Sequence, residues 1–289
     1  FFMLRNYYTL HRIVGELERL VGCPLADCFS QEKDVAMLAF LNGDELEYLQ
    51  ISTDTLLSGI CIRTNFERKR RNTADIFPKL MGDVLQNVEL SPTDRIVKLE
   101  FIKHTLHVYL FGGSRSNIIL TDRSGTVIDS ARHKKSLVGT KLSTDDSPAN
   151  VKENLGDTVS TILSAAPFLL GKYYTEEICR KLETDPKAIF AELATDTRSR
   201  LLATAKLFAE CLRSGSQAYI YRLPDGNPLV SLAELSRYGA PERIESSVSQ
   251  AVFFRTINTL KHQSIDGAKK GLASVLNRLV KKYEMQLEH

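Results

Sequence analysis

No stretch of this 289-residue chain is apolar for long enough to cross a bilayer. Runs such as Val108 to Phe111 and Ala165 to Leu170 fall far short of the roughly eighteen residues that a spanning helix needs. The opening Phe1-Phe2-Met3-Leu4-Arg5 lacks the positive start, apolar middle and small-residue cleavage site of a secretory signal, so the chain is expected in the cytoplasm and not on a membrane. Cysteine is scarce. Cys23, Cys28, Cys61, Cys179 and Cys211 are odd in number and scattered, which excludes a disulfide framework and fits a reducing compartment. Cys23 and Cys28 form the only close pair, with no second pair or histidine cluster at zinc-ligand spacing, so no metal is expected.

Signatures of catalysis are missing too. There is no Gly-x-Ser-x-Gly elbow, and His11, His104, His107, His133 and His262 are dispersed. His104 and His107 stand where i and i+3 of a strand face opposite sides of a sheet, which argues against a shared metal. Neither phosphate-cradling glycine motif occurs, so no nucleotide cofactor is expected. Asp145-Asp146 reads as a solvated pair in a linker. The chain is expected to recognise a partner without being an enzyme. Its net charge of +3 is too small to name that partner.

What remains is ordinary globular material, 43% hydrophobic and 25% charged, long enough to bury a substantial core in one large domain or two smaller ones. After Asn6, a competent N-cap, Leu10, Ile13, Val14, Leu17, Leu20 and Val21 repeat at helical spacing. Asp34 to Leu41 and Glu45 to Ser52 flank Asn42-Gly43 as a predicted antiparallel hairpin. Gly59 to Arg63 reads as a strand and Asn65 to Met81 as a second helix. Five short strands follow: Val84 to Leu90, Arg95 to Phe101, Thr105 to Phe111, Ser116 to Thr121 and Thr126 to Ser130, the last two joined by a turn at Asp122 to Gly125.

This places a β-rich domain at 1–142 and a polar linker at 143–150. Helical patterns at Val151 to Ala165, Tyr174 to Leu182, Pro186 to Thr195 and Thr197 to Ser214 predict a helix-hairpin-helix-like module over 151–215. A lone hairpin, Gln217 to Leu223 with Leu229 to Leu232, and its connection occupy 216–245. Helices over 246–286 lead into a coiled coil, with Leu272, Val275, Leu276, Leu279, Val280 and Tyr283 as an apolar stripe. The pattern is still running at the end, so a longer parent chain is expected, and 287–289 reads as a tag remnant. The fold class is α+β.

Charged residues carry the functional signal. Arg68-Lys69-Arg70-Arg71 and Arg132-His133-Lys134-Lys135 concentrate cations on short segments, either as phosphate contacts or as solvated basic faces. Asp94-Arg95 stands where a turn enters a strand. Adjacent strand residues point to opposite faces, so each charge is expected to need its own partner. On one account they are a turn-capping aspartate and a surface arginine. On the other, Arg95 meets a phosphate or base edge and Asp94 accepts from a nucleobase or fixes a neighbouring arginine. Arg115 and Asn117 follow Gly112-Gly113, a pair that permits close approach, and suit either RNA contact or a tight hairpin.

Several segments together resemble a known family: Asn6-Tyr7-Tyr8-Thr9-Leu10, Phe29 to Asp34, Arg71-Asn72-Thr73-Ala74, Pro92-Thr93-Asp94-Arg95-Ile96 and Arg115 to Leu120, then Gly171 to Pro186 and Ser246 to Ala251. Their order and spacing are similar to the amino-terminal region of NFACT proteins, whose bacterial RqcH-type members were long labelled fibronectin-binding protein A. The resemblance implies a ribosome quality-control factor. Such a factor binds the large ribosomal subunit with its obstructed nascent peptidyl-tRNA and recruits tRNA, mainly alanyl-tRNA, for carboxy-terminal tailing of the stalled chain. It implies an amino-terminal fold like that of formamidopyrimidine-DNA glycosylases, and a tRNA-recruiting role for Asp94 and Arg95. The chain departs from those glycosylases by beginning Phe1-Phe2-Met3 where they carry proline and glutamate, so base excision is not expected. The family's Arg-Lys pair on the preceding helix falls here on Phe77-Pro78, leaving the upstream basic run as its substitute. The competing readings are a fibronectin-binding surface adhesin and a glycosylase-like DNA-binding protein.

Overall fold

The computed structural model describes residues 6–55, 57–63, 66–92, 94–111, 113–142 and 156–287, without the side chains of 266, 270, 275 and 277–287. The first helix, α1 (Tyr7–Leu17), starts where the Asn6 side-chain carbonyl accepts from the Tyr8 amide at 3.0 Å. The same side chain donates to the Leu170 carbonyl at 2.8 Å, tying the helix start to a distant segment. Tyr8, Leu10, Ile13 and Leu17 form its buried stripe. Their full burial is worth about 1.5–3 kcal/mol per side chain.

Two five-stranded antiparallel sheets follow. The first comprises β1 (Leu25–Glu32), β2 (Val35–Asn42), β3 (Glu45–Ser52), β4 (Gly59–Arg63) and the short β5 (Ala74–Asp75), in the order β4-β3-β2-β1-β5. The second is a simple meander of β6 (Leu85–Leu90), β7 (Ile96–Phe101), β8 (His104–Tyr109), β9 (Asn117–Asp122) and β10 (Val127–Ser130). The predicted hairpin forms in continuous register from Val35↔Ser52 to Asn42↔Glu45, which puts Gly43, at φ 62°, in the turn itself. In β2, Ala36, Leu38 and Phe40 belong to the core shared with the second sheet, and the Phe40 and Phe101 rings stack across it at 6.2 Å.

The two sheets are built on one pattern used twice. Leu20-Val21-Gly22-Cys23-Pro24-Leu25 and Leu80-Met81-Gly82-Asp83-Val84-Leu85 each begin on the last residue of a 3-10 turn and open a meander. The Gly22 amide donates to the Leu85 carbonyl and the Gly82 amide to the Leu25 carbonyl, both at 2.8 Å, while Pro24 and Val84 face each other in a bridge. Reciprocal contacts of this kind are the mark of a local twofold axis. Both glycines sit at positive φ, 88° and 74°, where any other residue is strained.

The expected helix over Asn65 to Met81 does not form. Asn72 and Phe77 adopt left-handed backbone and Pro78 follows, and between them Ala74–Asp75 lies along β1 as β5, with Phe29 paired to Asp75. Phe77-Pro78 therefore begins a single 3-10 turn, Pro78–Leu80, and lies on no helix. The strand β1 was missed because Leu25 to Glu32 has bulged register and no clean alternation of apolar residues.

The predicted linker lies within residues 143–155, outside the described residues. The short α2 (Lys134–Leu137) precedes that stretch, and α3 (Val159–Ser164), α4 (Gly171–Lys181) and α5 (Thr195–Ser214) follow it. Pro186 to Thr195 is not a helix beyond the 3-10 turn Phe190–Glu192, because the carbonyls of Pro186 and Ala188 bond the amides at the start of α3. The predicted lone hairpin, β11 (Ala218–Arg222) and β12 (Pro228–Ser231), gains a third strand, β13 (Arg243–Glu245). The final helix α6 (Val248–Leu287) begins where Glu16 of α1 accepts from the Val248 and Ser249 amides. The buried cluster runs without interruption from Tyr8 through both sheets and the helices to Val252, and the fold is mixed α+β. Among the described residues no helix is long and apolar enough to cross a membrane.

Candidate nucleic-acid interface

An antiparallel meander brings the start of each odd strand and the end of each even one to the same edge. In the second sheet that edge collects Asp94 and Arg95 before β7, Tyr109 and Phe111 after β8, Arg115 and Asn117 before β9, and Arg132 and His133 after β10. A cleft of about 550 Å³ opens there. The Phe111 ring lines it, with the Arg95 guanidinium carbon 5.8 Å from the ring centroid and that of Arg115 5.7 Å. Both distances lie within the roughly 6 Å range of cation–π attraction. Phe111 was not singled out from sequence, although an aromatic residue at a strand end directly before two glycines was the available signal.

The two charges behave differently from the expectation of separate partners. Asp94 and Arg95 precede the regular strand, so they are not forced to opposite faces. The Arg95 Nε lies 4.0 Å from the Asp94 carboxylate, whose other role is to accept from the Arg95 amide at 2.8 Å. Their side chains stay 48% and 31% exposed, so neither is locked in the interior. Arg115 is exposed and has no ion-pair partner among the described residues. Two guanidinium groups against one carboxylate leave this concave edge net positive, with forked donors for phosphate or base edges and one strong acceptor.

Asn117 does not face outward as a reader of bases. It is buried, its Nδ2 donates to Ser130 Oγ and the Arg132 carbonyl, and its Oδ1 accepts from the Ile118 and Arg132 amides. The side chain clamps β9 to the end of β10. Arg132 is spent internally as well. Nη1 donates to the carbonyls of Gly113 and Ser116 at 2.9 and 3.2 Å. Nη2 donates to Thr53 at 3.1 Å and pairs with Asp34 at 2.8 Å. It thereby fixes the loop that carries Arg115 and ties it to the other sheet.

The first basic run divides the same way. Arg68 donates to both oxygens of Asp27, to Asp75 and to Thr73, and lies over the Phe29 ring at 4.5 Å, so its guanidinium staples the segment to β1. Hydrogen bonds to Asp75 and Asp27 hold its pKa above the ordinary arginine value. Lys69 reaches Glu32 at 3.6 Å, and Lys134 pairs with Asp129 at 2.9 Å. Arg70, Arg71 and Lys135 are exposed. The cysteines Cys23, Cys28, Cys61 and Cys179 are free and buried, and Cys211 is free and exposed. Among the described residues no cluster of three His, Cys, Asp or Glu side chains is placed to hold a metal.

Comparison with known proteins adds two findings. A family model described as NFACT N-terminal and middle domains matches residues 6–289. Similar solved structures include the fibrinogen binding protein from Staphylococcus aureus, 14% identical at a TM-score of 0.63, over 86% of this chain and 98% of that one. The N-terminal part of the fibronectin/fibrinogen-binding protein from Streptococcus suis is 15% identical at 0.54, over 86% and 97%. At those identities they establish a shared fold. No curated protein matches the chain.

Proposed function

The chain belongs to the NFACT family, and from that premise we propose that it is the RNA-binding part of a ribosome quality-control factor that recruits tRNA to an obstructed large ribosomal subunit. The observation that carries the proposal is the open edge of the second sheet, where Arg95 and Arg115 flank Phe111 beside an accessible Asp94. Guanidinium forks suit phosphates and base edges, the ring offers a stacking face, and the carboxylate accepts from nucleobase amines. In this reading the ribosome forms the peptide bonds and the protein, acting in the cytoplasm and without a cofactor, positions alanyl-tRNA. The glycosylase-like fold of the β-rich half and a helix-hairpin-helix character for α3 to α5 are part of the same reading.

The test is recovery of RNA with the tagged full-length protein from cells. Asp94→Ala with Arg95→Ala is expected to lose tRNA while the large subunit is still recovered. Equal tRNA recovery in the double variant contradicts the proposal. A second reading, binding of fibronectin or fibrinogen, is favoured only by the names of the two structural relatives. Retention on immobilised fibronectin, with no tRNA recovered, would favour it.

A further inference from the structure

The root of α6 holds a second hollow, about 440 Å³, that the cleft on the second sheet does not involve. Helical spacing puts Gln250, Phe254, Asn258 and Lys261 on one stripe, and β13 supplies Arg243 opposite. Phe253 closes the inner side. Its ring is pinned from behind by Arg63, whose guanidinium carbon lies 4.5 Å from the Phe253 centroid and 4.4 Å from that of Phe66. Arg243 lies 5.2 Å over the Phe254 ring and pairs with Glu245, the hollow's one carboxylate.

Arg243 and Glu245 satisfy each other, but other polar groups around these rings are uncommitted. The Gln250 side-chain amide and the Lys261 ammonium have no partner among the described residues, and both side chains are exposed. Asn258 donates from Nδ2 to the Phe254 carbonyl at 2.9 Å, which leaves its Oδ1 as an acceptor. A volume of this size falls within the roughly 300–1,000 Å³ of small-ligand sites. An aromatic floor, two amides that pair with donors and acceptors in one plane, and a free cation at the rim match the parts of a nucleotide: base face, base edge and phosphate. An apolar anchor from a protein would instead leave the Gln250 side-chain amide and the Asn258 Oδ1 without partners.

We propose that this hollow seats one unpaired base of an RNA strand, stacked on Phe254, with the adjoining phosphate at Lys261. The inference rests on the RNA-binding reading and adds a second contact at the base of the long helix.

The experiment is a fluorescence titration of the full chain with a short single-stranded oligoribonucleotide carrying 2-aminopurine. Quenching is expected on binding. Phe254→Ala should bind about 5- to 150-fold more weakly and lose the quench, by the usual worth of one base–aromatic stack. Phe254→Tyr, which keeps the ring face, should restore both. Lys261→Glu, at an exposed helix position where folding is not at stake, should weaken binding with the quench retained at saturation. Unchanged binding and quenching in both Phe254→Ala and Lys261→Glu overturns the proposal and leaves the hollow to a protein partner. Repeating the titration in Asp94→Ala/Arg95→Ala separates the two sites. A quench that persists there supports the seat at α6 whatever becomes of tRNA recovery, and a quench abolished there overturns it.

Discussion

The two halves of the β-rich region start from the same motif and end with opposite uses of the same position. Asp34 lies twelve residues after Gly22 and Asp94 twelve after Gly82, each at the entrance to the second strand of its sheet. In the first half that aspartate is taken by Arg132, which also collects a carbonyl from Thr53 and two from the loop of the other half. In the second half the aspartate meets only its neighbour Arg95 among the described residues, and both reach solvent. A duplicated framework thus has one edge sealed by an arginine and one left open around Phe111. Cations in this protein are legible by what already holds them: Arg68 and Arg132 are structural, Arg95 and Arg115 are available.

The sharpest way to break that contrast is to remove the seal. Arg132→Ala leaves a carboxylate and three carbonyls without their donor, and is expected to cost on the order of 3 kcal/mol in urea denaturation. A loss below about 0.5 kcal/mol would show that the latch holds nothing. Asn117→Ala should follow at about 2 kcal/mol, because four internal hydrogen bonds go with the amide. If it instead weakened RNA binding with no change in melting, the outward reading of Asn117 would be restored. The twofold relation predicts that Gly22→Ala and Gly82→Ala cost similar amounts, about 1–2 kcal/mol each, since both force a side chain into left-handed backbone with open space around it. Very unequal melting shifts would show that the two turns are not equivalent. Arg115→Ala, on the open edge, should change stability by less than about 0.5 kcal/mol.

Much of this was written in the chain. Strand-like composition on both sides of the Asn42-Gly43 turn marked β2 and β3, and the second meander was readable strand by strand because each strand is short and rich in β-branched or aromatic residues. The helix expected at 65–81 failed for a different reason. Its apolar and basic residues fit helical spacing, but left-handed Asn72 and Phe77 and the pairing of Arg68 with Asp27 depend on contacts across the sheet that spacing does not encode. The site was half legible. Asp94, Arg95 and Arg115 stood out as charges at strand ends, whereas the internal occupation of Asn117, Arg68 and Arg132 follows from which strand ends meet in space. Phe111, around which the open edge is arranged, looked like one more apolar strand residue.

The salt dependence of tRNA binding tests the open edge most directly. Replacing Arg95 and Arg115 together by Ala should lower the logarithmic salt slope by about 1.4 to 1.8, the share of two phosphate contacts, with melting unchanged. Arg68→Ala should leave that slope where it was. A slope untouched by the Arg95/Arg115 pair, or lowered as much by Arg68→Ala, would contradict the assignment of the second sheet's edge as the surface that meets RNA.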